Sequence, residues 1–559
     1  MSEWTEVTEI PRSKRILFLG DSITENGTYI RDLDAVFTRL LPQCGIEWIG
    51  LGVSSETAAG THEITHPFPR PDVHERLDRA LAETRPDWVF VCYGMNDGIY
   101  HPFARERFDA YRSGMERMVA KIEQAGAQPI LLTPPPFDIL SVNGRPQPEG
   151  LPDYSFDDPY GKYDEVLGFY SDWLLAYGRE KGLKTVDIRR PLHAFIEQNR
   201  ERNPDFRYGD GVHPDEAGHA VIAHTILKKV FRLEWEQMPE WLSEDGEFLH
   251  LVTERRELLK ASWREHVGHS NPYKLDALPL GEALKRVEEL LPAIREAARR
   301  EGGELDERLS DWNGLVRRDY KLNGRSCLVV EPRTPADGRP WIWRTEFFGD
   351  FANADLELAR LGWHIGYIGL SHLYGSPFAA REMEVFRSDA ARRFDLASKP
   401  VLFGFSRGGL YAVRYAETFP QHTRALYLDA PVVDIASWPG GFGAGHGSPE
   451  EWEDCLDVYG IPRGAYRAAE GTGTGAAKVT DELLEMLAVP ARAGIPILLV
   501  AGGADEAVPF AENGEILARR YLECGGVIEQ IVKPDCGHHP HGLEHPQPVV
   551  DFVRSSPAK

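Results

Sequence analysis

No apolar run in this chain is long enough to span a membrane, and its opening residues lack the basic-then-apolar order of a secretory leader. Basic charge is also in deficit: 63 Lys and Arg stand against 87 Asp and Glu, for a net charge of −24. Such a chain repels phosphate backbones and anionic bilayers, so neither nucleic acid nor membrane is an expected partner. Cysteine is sparse. The six (Cys44, Cys92, Cys327, Cys455, Cys524 and Cys536) are scattered and form no CxxC pair. They read as reduced, mostly buried thiols, and with the missing leader they predict a cytoplasmic protein. What is abundant is apolar material, 42% of 559 residues. At about 150 residues per domain that is enough for two to four cores, or two large α/β domains.

From Arg15 to about Leu233, short apolar runs alternate with amphipathic stretches. Strands are predicted at 15–19, 46–51, 87–92, 128–133 and 184–188, and helices at 30–41, 72–84, 105–125, 160–181 and 215–231. That alternation implies a parallel sheet covered on both faces. The first strand ends in Gly20-Asp21-Ser22, which puts Ser22 just beyond a strand's carboxyl end, where open α/β sheets place ligands. Asp21 and Ser22 also suit a plain helix cap. Three further stretches belong with it: Gly52-Val53-Ser54-Ser55-Glu56-Thr57, Gly94-Met95-Asn96-Asp97 and Asp210-Gly211-Val212-His213-Pro214.

In order and spacing these four stretches resemble the blocks of the GDSL-type (SGNH) hydrolases, over about residues 12–232. The resemblance implies a flavodoxin-like three-layer fold and a serine acyl-transfer site. Ser22 would be the nucleophile and His213 its base. Asp210, three residues before His213, would hold the imidazole. The oxyanion donors would be the backbone N–H of Ser22, the side-chain amide of Asn96 and a block-two glycine. Block two departs from the family. Ser55 stands where the glycine is expected, and Gly52 is the nearest glycine. A backbone N–H survives that change; the backbone angle is what it puts in question. Asp97 reads as support for the Asn96 loop or as a helix cap, and His101 as a substrate-side or surface residue.

Residues 234–310 carry helical periodicity at 247–266 and 280–300 and read as a helical connector. Their Trp263–His269 segment suits either a buried helix end or a wall of an active site. A second strand–helix alternation fills 311–559, with strands predicted at 326–331, 340–345, 363–368, 399–403, 424–428, 495–501 and 526–532. Within it, Gly404-Phe405-Ser406-Arg407-Gly408 is a G-x-S-x-G between a strand and a helix, the context of a nucleophile elbow. This region resembles the α/β-hydrolase fold. That resemblance implies Ser406 as nucleophile, then an acid, then a histidine. Asp505 follows a strand and a Gly turn, with Asp429 as runner-up. His538 follows Gly537, with His539 second. The backbone N–H of Arg407 and one from the loop after 340–345 would form the oxyanion hole. Arg344 and Glu346 in that loop read as a substrate clamp or an ion pair. The His538, His539, His541 and Cys536 cluster lacks partners at metal-ligand spacing, so no metal or cofactor is expected.

The expectation is therefore a dual-domain serine esterase of 1–233 and 311–559. It would act on acetyl esters of an oligosaccharide, with hydroxycinnamoyl esters as a second acyl class, or on another small ester. Trp88, Tyr93, Tyr100 and Phe103 suit sugar stacking, although most aromatics are core residues. One alternative is a single active domain with the other structural or binding. Others are lipid or thioester hydrolysis, or a peptidase. No long apolar lid favours lipid, and no propeller-like repeat favours an oligopeptidase.

Overall fold

The computed structural model describes residues 13–233, 242, 246–301, 307–461 and 487–557. The chain divides into two compact units, Met1–Glu304 and Leu305–Lys559.

The first unit is built on five strands: β1 (Arg15–Gly20), β2 (Glu47–Gly52), β3 (Trp88–Cys92), β4 (Gln128–Leu132) and β5 (Lys184–Val186). They pair in parallel in the order β2-β1-β3-β4-β5. Every residue of β3 is buried, as expected of strands covered on both faces. The order reverses between β1 and β3, so the crevice for a ligand opens beyond their carboxyl ends. Helices α1 (Ser22–Asn26), α2 (Thr28–Leu40), α3 (Leu77–Thr84), α4 (Arg105–Gln124), α5 (Tyr163–Lys181), α6 (Arg189–Arg202) and α7 (Glu216–Lys229) cover the sheet. Of these, α1 and α6 were not foreseen. The first is only five residues long, and the second is too polar to show a clear apolar stripe.

The expected connector contributes α8 (Glu247–Val267) and α9 (Leu280–Glu301), both within the first compact unit. In α8, Phe248, Leu249, Val252, Leu259, Trp263 and Val267 recur at helical spacing and join the same core as β1 to β4. Arg256 reaches the Trp48 carbonyl of β2 at 2.6 Å, and Arg255 reaches Asp34 of α2 at 2.8 Å.

The second unit holds a nine-stranded sheet. Its strands are β6 (Arg308–Trp312), β7 (Leu315–Leu322), β8 (Arg325–Glu331), β9 (Trp341–Arg344), β10 (His364–Ile368), β11 (Val401–Phe405), β12 (Ala425–Asp429), β13 (Ile497–Gly502) and β14 (Ile528–Lys533). Their order is β14-β13-β12-β11-β9-β10-β8-β7-β6. The run from β10 to β14 is parallel, whereas β6, β7 and β8 pair antiparallel and β8 pairs antiparallel with β10. The mixed sheet thus has a meander at one edge. β6 and β7 were not foreseen because β6 is largely exposed, β7 is mostly half-buried, and neither carries a clean apolar alternation. Their signal was in the turns. Asn313-Gly314 and Asn323-Gly324 both sit at positive φ, as two-residue hairpin turns require.

Candidate active sites

In the first unit, Ser22 opens α1 directly after β1, and the Asp21 carboxylate caps that helix by accepting from Ile23 N–H at 3.0 Å. The cap role thus falls to Asp21, and Ser22 is the first residue of the helix. The Ser22 hydroxyl donates to His213 Nε2 at 2.7 Å. His213 Nδ1 donates to Asp210 at 2.8 Å, and the other Asp210 oxygen accepts the N–H groups of Val212 and His213 at 2.9 and 2.7 Å. Burial by itself would raise the Asp210 carboxyl, but these bonds and the imidazole charge outweigh it and hold it at about 2. Burial disfavours a charged His213. The bond to Asp210 and its charge override that and lift the imidazole above its ordinary range.

Asn96 follows β3 across the crevice. Its amide donates to the Glu56 carbonyl at 3.3 Å and its oxygen accepts from Tyr100 at 3.2 Å. Ser55 sits at φ 64, the left-handed region that costs a non-glycine residue about 1–2 kcal/mol. The backbone angle in question is therefore the one a glycine would take, adopted here by serine. Neither the Ser22 nor the Ser55 N–H has an acceptor among the described residues. Gly52 does something else. It ends β2 in register with Gly20, and a Cβ there would lie 2.0 Å from the Glu25 backbone nitrogen. Its lack of a side chain lets α1 lie against β2.

Asp97 is fully buried; one oxygen accepts Ala58 and Ala59 N–H at 2.8 and 2.9 Å, while the other has no partner. It ties the Asn96 loop to the block-two loop. Burial outweighs those two bonds and pushes its carboxyl up to about 7. A raised carboxyl stabilises the fold most below its unfolded value of 3.8 and loses that contribution as pH rises through about 7. Asp97→Asn keeps the acceptor without the charge. It should flatten the decline in unfolding free energy between about pH 4 and 8, a change on the order of a few kcal/mol. Urea melts of the full chain at several pH values check this, and an unchanged slope would refute it.

Several expectations are corrected here. Trp88, Tyr93 and Tyr100 are buried, as core aromatics, and unavailable for sugar stacking; Phe103 is exposed and packs on Phe108 and Phe169. Tyr93 instead donates to Glu56, which is held by Arg76. His101 is partly buried and pairs with Asp153 at 3.0 Å.

In the second unit Ser406 stands at φ 48 between β11 and α10 (Gly408–Thr418). A Cβ on Gly408 would lie 2.9 Å from Thr345 Oγ1, so only glycine lets the elbow approach the loop after β9 this closely. The Ser406 hydroxyl donates to His538 Nε2 at 2.9 Å, and His538 Nδ1 donates to Asp505 at 2.7 Å. The second Asp505 oxygen accepts Ala507 and Val508 N–H at 2.9 and 2.8 Å. The Arg407 N–H has no acceptor among the described residues. The runner-up acid Asp429 pairs with His541 Nδ1 at 2.9 Å and accepts Tyr427 and Gly542 at 2.9 Å each. His539 is exposed and stacks on Phe351. The ligand nitrogens of His538, His539 and His541 lie within 4.8 Å of one another, but both ring nitrogens of His538 and one of His541 are already engaged.

Arg344 and Glu346 form neither a clamp nor a mutual ion pair. Arg344 is fully buried, forks onto Asp355 at 2.7 Å and lies 3.9 Å from the Phe405 ring centroid. Glu346 is buried, accepts from Ser371 at 2.9 Å and faces Arg407.

With this geometry in hand, comparison with known proteins is informative for the first unit. Residues 18–221 match the GDSL-like Lipase/Acylhydrolase family. Among curated relatives, an acetylxylan esterase from Geobacillus stearothermophilus is 24% identical over 248 residues, spanning 41% of this chain and 98% of the relative. Together they support an acylhydrolase, an ester hydrolase, in the first unit. Among solved structures, an acetyl-xylooligosaccharide esterase from the same genus is 22% identical, covering 39% of this chain and 94% of that one, with a TM-score of 0.30. Porphyromonas gingivalis dipeptidyl peptidase 4 is 12% identical, covering 42% of this chain and 33% of that one, with a TM-score of 0.31. Neither structural likeness decides function at such scores. Among the described residues no helix is long and apolar enough to cross a membrane.

Proposed function

We propose that the chain is a carbohydrate esterase with two serine acyl-transfer sites, one in each unit, and that the first removes acetyl groups from an acetylated oligosaccharide. One observation carries the reading. Twice in this chain a serine hydroxyl lies within 2.9 Å of an imidazole whose other nitrogen meets a carboxylate. In the first site His213 takes the proton from Ser22 Oγ as it attacks the ester carbonyl. The N–H groups of Ser22 and Ser55 and the Asn96 amide receive the developing oxyanion. His213 returns the proton to the departing sugar oxygen. A water molecule, deprotonated by the same histidine, then hydrolyses the acyl-enzyme and releases the acid.

The second site runs the same steps with Ser406, His538 and Asp505, and Arg407 N–H is one oxyanion donor. An α/β-hydrolase identity for this unit is supported by the strand–elbow–helix placement of Ser406 and by the chain order Ser, Asp, His. The acetyl and carbohydrate preference rests on likeness to the acetylxylan esterase; a hydroxycinnamoyl ester is the proposed substrate of the second site. Labelling with a fluorophosphonate tests the two-site claim without assuming a substrate. Mass spectrometry should find two adducts on the wild type, on Ser22 and Ser406, and one adduct on each single Ser→Ala variant. A single adduct on the wild type would leave only one unit as an esterase.

A further inference from the structure

Serine at position 55 removes the residue type that takes a left-handed backbone without cost, so something else must hold that turn. The segment that ends α8 does so. Arg264, itself buried, binds Glu25, and the second Glu25 oxygen accepts the Ser54 N–H. Asn271 is buried as well; its amide donates to the Ser54 carbonyl at 2.8 Å, and its own oxygen accepts the Tyr273 N–H at 2.8 Å. From the other side Arg70, locked on Glu63, donates to the Ser55 carbonyl at 3.3 Å. The Ser54–Ser55 peptide is planar and trans, so its carbonyl and its N–H point in opposite directions. Fixing the carbonyl on Asn271 therefore fixes the direction of the Ser55 N–H, which has no acceptor among the described residues.

We propose that Asn271 and Arg264 are positioning residues of the first site. They stand in for the missing glycine: Asn271 clamps the Ser54–Ser55 peptide by its carbonyl, and Arg264, through Glu25, holds the N–H of the Val53–Ser54 peptide before it, so that the Ser55 N–H stays aimed as an oxyanion donor. Helix α8 and the loop after it are then part of the acyl-transfer machinery rather than a connector. The inference rests on the reading of Ser22 as a nucleophile.

Both claims are separable in one experiment on the full-length chain, in a Ser406→Ala background so that only Ser22 acts. Acetate release from an acetylated xylo-oligosaccharide and from p-nitrophenyl acetate is followed for Asn271→Ala, Arg264→Lys, Asn271→Ala/Ser55→Gly and Ser22→Ala. Losing a whole oxyanion donor costs about 100–1,000-fold in kcat, so losing its alignment should cost about 10–100-fold. The expected result is that fall in kcat for Asn271→Ala, with KM within about threefold because the donor acts mainly in the transition state. The added glycine should recover part of the loss. Arg264→Lys keeps the charge but not the guanidinium fork, and it should show a smaller fall of the same kind even if Asn271→Ala folds poorly. Unchanged kcat in both single variants, with Ser22→Ala inactive, overturns the positioning role alone. Activity retained in the Ser22→Ala variant overturns the reading of the site itself.

Discussion

Ser22→Ala should abolish acetate release from acetylated xylo-oligosaccharide, by about 10⁶-fold in kcat, while Ser406→Ala leaves it within about twofold. Removing the nucleophile of a serine triad costs about that much, because imidazole and oxyanion donors have nothing left to activate. The converse should hold for a hydroxycinnamoyl sugar ester, lost in Ser406→Ala and kept in Ser22→Ala. The independence has a structural reason: each serine meets its own imidazole and carboxylate, Ser22 with His213 and Asp210, Ser406 with His538 and Asp505. The measurement is product release by chromatography for the wild type, both single variants and the double variant. If one single variant keeps both activities, its unit does not act on these substrates. If the double variant keeps either activity, the serines are not the nucleophiles.

Asp210→Asn is the second large effect, and it has a signature in pH as well as in rate. Loss of the carboxylate that orients the imidazole should lower kcat about 10⁴-fold. His213 works as a base only when neutral. Its raised value therefore puts the acid limb of the kcat/KM profile above the pH expected for an ordinary imidazole. Activity falls as pH drops through that value. In Asp210→Asn the charge and the charge-assisted bond that raise His213 most are gone; burial, which lowers it, remains alongside the smaller raising charges of Asp21 and Glu25. The acid limb should then move to lower pH while the plateau drops. Profiles of kcat/KM from about pH 5 to 9 for both proteins check this. A reduced plateau with an unmoved limb would mean that His213 is not the group being titrated.

Much of this was legible in the sequence, for reasons of range. The five strands of the first sheet are buried apolar runs separated by amphipathic helices, and burial on both faces writes that pattern directly into residue type. The Asp210 and His213 pair is three residues apart, so one short loop brings carboxylate and imidazole together wherever the loop lies. Ser22 and Ser406 follow strand ends, and the elbow at Ser406 is spelled out by its flanking glycines. The β6–β7–β8 meander was readable from its two Asn-Gly turns, but only β8 is an apolar run; β6, largely exposed, and β7, mostly half-buried, escape a search for such runs.

What the sequence left open were choices between chemically equal residues, and those were settled by contacts across the fold. Asp429 and Asp505 both follow strands, and three histidines lie between 538 and 541. Strand order and loop path gave Asp505 to His538 and Asp429 to His541, partners 33 and 112 residues apart. The same holds for Arg344, which looked free to bind substrate until packing buried it on Asp355. It holds most clearly for Ser55. Its local sequence lacks the expected glycine, and the groups that hold its turn are distant: Asn271 lies 217 residues beyond Ser54, and Arg264 lies 239 beyond the Glu25 it binds. Local periodicity and turn chemistry act over a few residues and so are written in order along the sequence. Which side chain satisfies a distant buried carbonyl depends on how a helix docks on a sheet, and only the packed tertiary structure decides that.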